Sequence, residues 1–581
     1  MVERICPKCK IPMNADVCVK KSCQTKTVMS TTLYWCKECN VPIFEPVCPK
    51  CETEGKYIST DIRPVFPEER LLLALVQGKE NPHCYENSSV WYGSGAYIID
   101  GKKEKISITE INKWSLDKIK AIKEDYDRVV DGIDSSYFDR NVAIFVEANK
   151  ERYNFITEEA MRFVSSYREQ YAVEDMMVSF SGGKDSTVTS HIVNSALGTN
   201  QVLHIFGDTT LEFPTTLEYK KRFNKNEESK GVRVLTAKNR EKNFEELCEV
   251  VGPPSRVMRW CCTVFKTGAI QKIISSAFKD KTNILSFQGI RHSESASRSK
   301  YERESESPKI AKQTVASPII EWIDYDVWLY IFTTGIDFNY AYRLGYTRVG
   351  CWCCPNNGAW SEFLSKVHMY EQYVHWHELL LDFANKIGKP DAEAYVNDGK
   401  WKARQGGNGL EAAQTSVVTF EPCATEENAF NYELQRPISE ELYELFKPFG
   451  LINKELGNKR LGEVYVIRPN GKVVLVLQGR IGSTKLKVTI KDIHIAGAKT
   501  LSVAEGKVQC QLTKYQMCLG CKACESVCKH DAISVKDDGT GKVTYIIDDD
   551  RCVRCTECVG HFNAGCYMRK VLCIKRSKDG K

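Results

Sequence analysis

From about residue 160 to residue 390 the chain alternates short apolar runs with longer amphipathic stretches. Strand-length runs separated by helix-length amphipathic segments predict an α/β domain on a parallel sheet. Met176-Met177-Val178-Ser179-Phe180 reads as a strand, and residues 187–196 as the helix after it. Further along, Val464-Tyr465-Val466-Ile467 and Val473-Val474-Leu475-Val476-Leu477 flank Arg468-Pro469-Asn470-Gly471-Lys472, a strand, a turn and a strand in a small β-rich unit. Nearer the end, Lys536-Asp537-Asp538-Gly539-Thr540-Gly541-Lys542 precedes Val543-Thr544-Tyr545-Ile546-Ile547, again a turn and a strand. Elsewhere the pattern is weaker. Residues 63–155 hold Tyr97-Ile98-Ile99-Asp100-Gly101-Lys102 and a charged helical stretch from about Leu116, a small accessory unit and a helical connector. The Gly-, Asn-, Ala- and Glu-rich residues 391–435 read as a linker with partial order.

A chain of 581 residues exceeds one hydrophobic core, and the pattern divides it at 1–62, 63–155, 156–390, 391–435, 436–510 and 511–581. No apolar run is long enough to span a bilayer, and Met1-Val2-Glu3-Arg4-Ile5-Cys6 lacks the apolar core of a signal peptide, so a cytoplasmic location without membrane contact is expected. The net charge of +6 is small for this length and neither argues for nor excludes a nucleic-acid partner. The tail carrying Arg569, Lys570, Lys575, Arg576, Lys578 and Lys581 has a solvated terminus as its simplest reading.

Cysteine changes the picture most, because 26 are present and most fall in closely spaced pairs, the mark of metal binding in a reducing compartment. Cys6-x2-Cys9-x8-Cys18 recurs thirty positions later as Cys36-x2-Cys39-x8-Cys48, with Pro12 matching Pro42 and Val17 matching Val47. Cys23 and Cys51 complete the two sets. Four thiolates suit tetrahedral zinc, whose binding supplies on the order of 10 kcal/mol to a segment with little core of its own. A tandem zinc ribbon with two structural ions is expected over residues 1–62, with folding or docking to a protein partner or a second copy as its role; a rubredoxin-type iron site is the competing reading.

At the other end, Cys518-x2-Cys521-x2-Cys524-x3-Cys528 and Cys552-x2-Cys555-x2-Cys558-x7-Cys566 have the ligand spacing of two 4Fe-4S clusters. These runs resemble bacterial ferredoxin, an α+β fold. That resemblance implies that Cys518, Cys521 and Cys524 share a cluster with Cys566, and Cys552, Cys555 and Cys558 with Cys528. Two departures stand out: no proline follows Cys528 or Cys566, and the second run is stretched to x7. Cys510 and Cys573 read as ordinary thiols.

Between the predicted strand at 176–180 and its helix lies Ser181-Gly182-Gly183-Lys184-Asp185-Ser186. Paired glycines let backbone approach an anion, the helix N-terminus presents free N–H groups, and Lys184 adds a point charge. The lysine follows the glycine pair too closely for a Walker A loop; the segment matches the pyrophosphate (PP) loop of enzymes that split ATP between its α- and β-phosphates. Downstream come His204-Ile205-Phe206-Gly207-Asp208-Thr209-Thr210-Leu211-Glu212-Phe213-Pro214, Arg256-x2-Arg259-Trp260-Cys261-Cys262 with Lys266, Gly289-Ile290-Arg291-x2-Glu294-Ser295-x2-Arg298, Pro318-Ile319-Ile320-x-Trp322 leading to Asp326-Val327-Trp328, and Arg348-x-Gly350-Cys351-x2-Cys354-Pro355. In order and spacing these segments resemble the phosphoadenosine phosphosulfate (PAPS) reductase and PP-loop ATP pyrophosphatase superfamily over about 200 residues. The resemblance implies that Ser181, Gly182, Gly183, Lys184, Asp185 and Ser186 hold the phosphate or sulfate end of an adenine nucleotide, that Asp208 sits near the nucleoside, that Arg259 and Lys266 join the binding site, and that Arg291 and Arg298 face anionic groups.

A third cysteine set, Cys261-Cys262 with Cys351-x2-Cys354, lies inside this domain. Adjacent thiolates bind one zinc ion awkwardly, whereas a cuboidal cluster offers them different irons, so a third 4Fe-4S cluster is expected. Similar sets occur in adenylylsulfate reductases and DNA phosphorothioation enzymes. Cys353 is a bystander, an exchangeable ligand or a sulfur acceptor; Cys84, Cys248 and Cys423 read as structural. Two enzymatic readings follow. In the first, ATP and Mg2+ bind, ATP is split to AMP and pyrophosphate, and the activated acceptor, a nucleic acid among the candidates, receives sulfur with electrons from the ferredoxin clusters. In the second, adenylylsulfate or PAPS is reduced to sulfite, although the Glu-Cys-Gly-x-His motif carrying that family's catalytic cysteine does not occur here. A nucleotide-gated electron-transfer protein is the non-catalytic alternative. Sulfur donor and external electron donor are not named by the residues.

Overall fold

The computed structural model describes residues 4–6, 12–13, 15, 17–25, 27–29, 31–228, 231–306, 313–404, 417–518, 520, 522–537, 543–560, 566 and 573–576. Cys9, Cys521, residues 538–542 of the expected turn, and Arg569, Lys570, Lys578 and Lys581 of the basic tail lie outside the described residues. The chain forms two compact units: Met1–Ala237, Ile274–Pro308 and Lys312–His375 make one, and Lys238–Ile273, Lys309–Ala311 and Trp376–Lys581 the other.

The first unit is built on the α/β pattern read from the sequence. Strands β1 (Met176–Phe180), β2 (Leu203–Asp208), β3 (Val234–Lys238), β4 (Ile284–Gln288), β5 (Glu304–Glu306) and β6 (Gln313–Ala316) form one sheet in the order β3-β2-β1-β4-β6-β5. Pairings of β1 with β2 and β4, and of β4 with β6, are parallel; the edge strand β5 runs antiparallel to β6. Val178, Phe287 and Leu285 of the sheet pack with Val188 and Ile192 of helix α1 (Lys184–Leu197) and with Trp328 of helix α2 (Asp324–Thr334) in one core. Strand order reverses beside β1, so the turn from β1 into α1 opens at the switch point where ligands of open α/β sheets bind.

Two features differ from the sequence reading. Helix α1 begins at Lys184 rather than near 187, because Gly183 is extended (φ −91°, ψ 158°) and hands the chain straight into the first turn. The segment 391–435 is more than a linker, since it contributes a short helix, Ala392–Asn397, and strands Val417–Pro422 and Ala429–Glu433. Both strands belong to a seven-stranded sheet of the second unit that also holds the expected pair, Glu463–Ile467 and Val473–Gln478. Val466, Leu475, Leu477 and Val488 of that sheet share a core with Val508 and Leu512 of helix Leu501–Met517 and with Ile533, Val535 and Ile547 of the two-stranded ferredoxin hairpin.

At the N-terminus each cysteine repeat folds as a three-stranded antiparallel sheet. The second is built into the first unit: Trp35, Val41 and Ile43 pack with Phe145 and with Tyr325 and Leu329 of α2.

Candidate functional site

Gly182 takes φ +72°, a left-handed value that glycine adopts without strain, and Gly183 then leaves the first amides of the fourteen-residue α1 pointing into the loop. The loop is tied across itself: the Ser181 amide donates to Ser186 Oγ (3.2 Å), Gly183 N to Ser181 Oγ (3.4 Å), and Ser186 Oγ to the Gly183 carbonyl (2.8 Å). Tyr342 accepts from Lys184 N at 2.9 Å. Gly289 has a strict reason to be glycine, since a Cβ there would lie 2.6 Å from the Asp185 carbonyl oxygen and 2.9 Å from Ser186 N.

Lys184 and Arg291 are each only 3 % exposed. Lys184 Nζ lies 3.4 Å from Asp185 and 3.1 Å from Asp324, and donates to the Thr347 carbonyl at 3.3 Å. Arg291 reaches the same two carboxylates, through Nε to Asp185 (2.6 Å) and Nη2 to Asp324 (2.7 Å). Burial pushes the Asp324 carboxyl up, but Lys184 and Arg291 outweigh it and hold the group at about 2. Behind it, Asp61 accepts from the amides of Asp324 and Tyr325, both at 3.1 Å. Burial and the Asp324 charge push Asp61 up to about 7. Arg298 pairs with Glu294, and burial, followed by the positive charge of Arg348, lowers its pKa. Asp208 ends β2, where its Oδ1 accepts from Thr210 N at 2.9 Å.

Of the predicted residues, the fold thus gathers Ser181 through Ser186 with Arg291 around one loop. It adds Asp61, Asp324 and Tyr342, which sequence reasoning missed. Asp324 stands two positions before the quoted Asp326 and looks like any acidic residue in a helix's first turn. Asp326 itself is fully buried, with both oxygens bonded by Arg152 at 2.9 Å, a structural pair.

In the first unit Cys351 is drawn to the end of β2. It forms an isolated bridge with Glu212, its Sγ lies 3.5 Å from Thr209 Oγ1, and Trp352 N donates to the Leu211 carbonyl at 3.0 Å. Cys354 follows one turn later, its amide bonded to the Cys351 carbonyl. Cys261 and Cys262 belong to the second unit, where Cys262 opens a π-helix, Cys262–Thr267, that also carries Lys266. Such helices are rare and recur at functional sites. A hydrogen bond from Cys261 lowers the Cys262 thiol to about 5 against the opposing effect of burial, helped by Arg259, whose Nη2 donates to its Sγ at 3.3 Å.

Within that same unit the π-helix packs against the ferredoxin helix Ala523–Val527, which carries Cys524. Gln271 Nε2 donates to the Cys528 carbonyl at 2.7 Å, Lys272 pairs with Glu525 at 3.2 Å, and Lys522 pairs with Glu241. Cys528, Cys552, Cys555 and Cys558 line one cavity, a donor set that fits a 4Fe-4S cluster. Cys518, Cys524 and Cys566 are described but their fourth predicted partner, Cys521, is not. At the other end, the sulfurs of Cys36, Cys39, Cys48 and Cys51 lie within 4.8 Å of one another, as do those of Cys6, Cys18 and Cys23, which fits a tetrahedral metal ion in the second ribbon and three of its four ligands in the first.

Residues 175–357 match the phosphoadenosine phosphosulfate reductase domain family. The chain carries a PAPS reductase domain. Residues 517–561 match the 4Fe-4S dicluster domain family, so the PAPS reductase domain is fused to a ferredoxin-type module. Two uncharacterized proteins of Methanocaldococcus jannaschii are 31% and 30% identical over 259 and 261 residues, 45% and 44% of this chain. The chain spans 52% and 60% of their lengths. An adenosine 5′-phosphosulfate reductase of Neisseria meningitidis is 31% identical over 98 residues, 16% of this chain and 36% of its own length. Among solved structures, a phosphate complex of PAPS reductase from Candida auris aligns with 36% of this chain and 97% of its own at 14% identity and a TM-score of 0.27. No helix among the described residues is long and apolar enough to cross a membrane.

Proposed function

We infer that the PAPS reductase domain binds an adenine nucleotide at the PP-loop and splits ATP to AMP and pyrophosphate, activating an acceptor for sulfur transfer, with electrons supplied from the ferredoxin module. The observation that carries this reading is the pair of buried cations, Lys184 and Arg291, held at the N-terminus of α1 by Asp185 and Asp324. Pyrophosphate departure collects negative charge where the bond breaks, and preorganised cations and helix amides stabilise that charge without reorganising. Lys184 and the amides following Gly183 would bind the departing phosphates, Arg291 would orient them, and Asp185 and Asp324 are the carboxylates at hand for the Mg2+ that accompanies ATP. An anionic ligand beside Arg298 would offset the burial and the Arg348 charge that oppose its guanidinium. The iron-sulfur groups would supply one-electron chemistry, held by Cys518, Cys521, Cys524 and Cys566 and by Cys528, Cys552, Cys555 and Cys558. Packing of the Cys524 helix on the Cys262 π-helix supports a supply of electrons as far as Cys261 and Cys262.

Reduction of adenylylsulfate to sulfite is the second reading, favoured by the similarity to the Neisseria adenosine 5′-phosphosulfate reductase. Anaerobic reconstitution with iron and sulfide, followed by incubation with ATP or with adenylylsulfate, separates the two. Pyrophosphate from ATP, abolished in Lys184→Ala, is expected. Sulfite from adenylylsulfate with no pyrophosphate from ATP would replace the first reading by the second, and unchanged pyrophosphate release in Lys184→Ala would refute the role of the loop.

A further inference from the structure

Lys514 lies on helix Leu501–Met517, one turn before the first cluster cysteine, and is 2 % exposed. Among the described residues no carboxylate stands within ion-pair distance of its ammonium. Its Nζ instead donates to the carbonyl of Cys558 at 2.7 Å, and the Tyr545 ring centroid is 5.9 Å away. The Lys514 carbonyl in turn accepts from the amide of Cys518 at 3.0 Å, so the residue is bonded to both cysteine runs. Cys518 is a predicted ligand of one cluster, and Cys558 is a predicted ligand of the other. An ammonium buried without a carboxylate costs several kcal/mol unless some other negative charge is fixed beside it. Four thiolates around a 4Fe-4S core leave a net negative charge, and each added electron increases it.

We propose that Lys514 is the buried counter-ion shared by both 4Fe-4S clusters of the ferredoxin module, and that its ammonium raises the reduction potential of both. It is a positioning residue that ligates nothing. Through the hydrogen bond to the Cys558 carbonyl it fixes the backbone of one ligand set, and through its charge it favours the reduced state of either cluster, since that state carries one more electron. The inference rests on the dicluster module alone and stands whichever reaction the nucleotide site performs.

The test is a potentiometric titration, followed by electron paramagnetic resonance, of the anaerobically reconstituted full chain and of Lys514→Met, Lys514→Gln and Lys514→Arg. Met removes charge and hydrogen bond together, Gln removes the charge but keeps an N–H donor, and Arg keeps the charge. With iron content equal to wild type, both neutral variants are expected to lower the reduced-to-oxidised ratio at a fixed poise by at least tenfold for both clusters, which is about 59 mV for one electron. The Arg variant is expected to stay within threefold. A neutral variant that keeps its iron and titrates within threefold of wild type overturns the proposal, as does a shift confined to one cluster. Should both neutral chains fail to retain iron, the Arg chain decides: full iron with unchanged potentials supports the assignment, and a tenfold shift overturns it.

Discussion

Two lysines of this chain are buried almost equally, Lys184 in the nucleotide loop and Lys514 in the ferredoxin module, and they are compensated in opposite ways. Lys184 faces the carboxylates of Asp185 and Asp324, which it shares with Arg291. Lys514 meets no carboxylate among the described residues and donates to the peptide carbonyl of Cys558, a predicted cluster ligand. A cation balanced by carboxylates can exchange one anion for another, so a phosphate entering the loop finds a positive charge already desolvated. A cation balanced by metal ligands is bound to the fate of the metal. The kind of anion beside a buried ammonium thus separates a site built for a visiting ligand from one built around a resident group.

That distinction can be tested by removing the anions, and the largest effect is expected where the compensation is a cluster. Cys558→Ser should cut hydrogen-exchange protection of helix Leu501–Met517 by more than tenfold while leaving Lys184–Leu197 within twofold; equal loss in both helices would dissolve the contrast. Asp324→Ala comes next. It leaves Lys184 and Arg291 to Asp185 alone, with an expected loss of about 3 kcal/mol in chemical denaturation. A loss below about 0.5 kcal/mol, the size of a surface pair, would mean that Asp324 does not compensate them.

Gly289→Ala tests the loop's shape rather than its charge. A Cβ 2.6 Å from the Asp185 carbonyl forces the loop to move, and nucleotide affinity by calorimetry should fall about tenfold, or about 1.4 kcal/mol. Wild-type affinity would show that the loop's backbone is not the anion seat. The smallest effect concerns Asp61. Its folded pKa of about 7 lies above the ordinary aspartate value of 3.8, so between about pH 4 and pH 7 the native chain keeps a proton that the unfolded chain has released. Stability from this group is therefore greatest below that window and declines as pH rises through it. Asp61→Asn should flatten the fall in Tm with rising pH over that range; an unaltered slope would remove Asp61 from the ion network.

Legibility in the sequence followed how local each signal was. The first strand was read at its observed bounds because five apolar-rich residues precede a glycine pair, and a turn plus a helix start are contained in that short stretch. Strands Val417–Pro422 and Ala429–Glu433 read as linker because Gly, Asn and Glu surround them; they pair with each other, but their outer partners, Cys573–Arg576 and Lys485–Ile490, lie more than fifty residues away, and only those pairings build them into a sheet. The candidate site divides the same way. Lys184 and Asp185 announced themselves through the loop, whereas Asp61 and Asp324 come from distant segments and carry no motif.

What the sequence determined by itself is the inventory of chemistry: thiolates at ligand spacing, and a glycine pair ahead of a lysine. Both depend on residues a few positions apart, and chain geometry limits what such neighbours can do. Which carboxylates stand against Lys184, and which cluster cysteine's carbonyl takes up Lys514, was decided only by tertiary structure. The energy of a buried charge depends on every group within a few ångströms, and folding draws those groups from segments that the sequence keeps far apart.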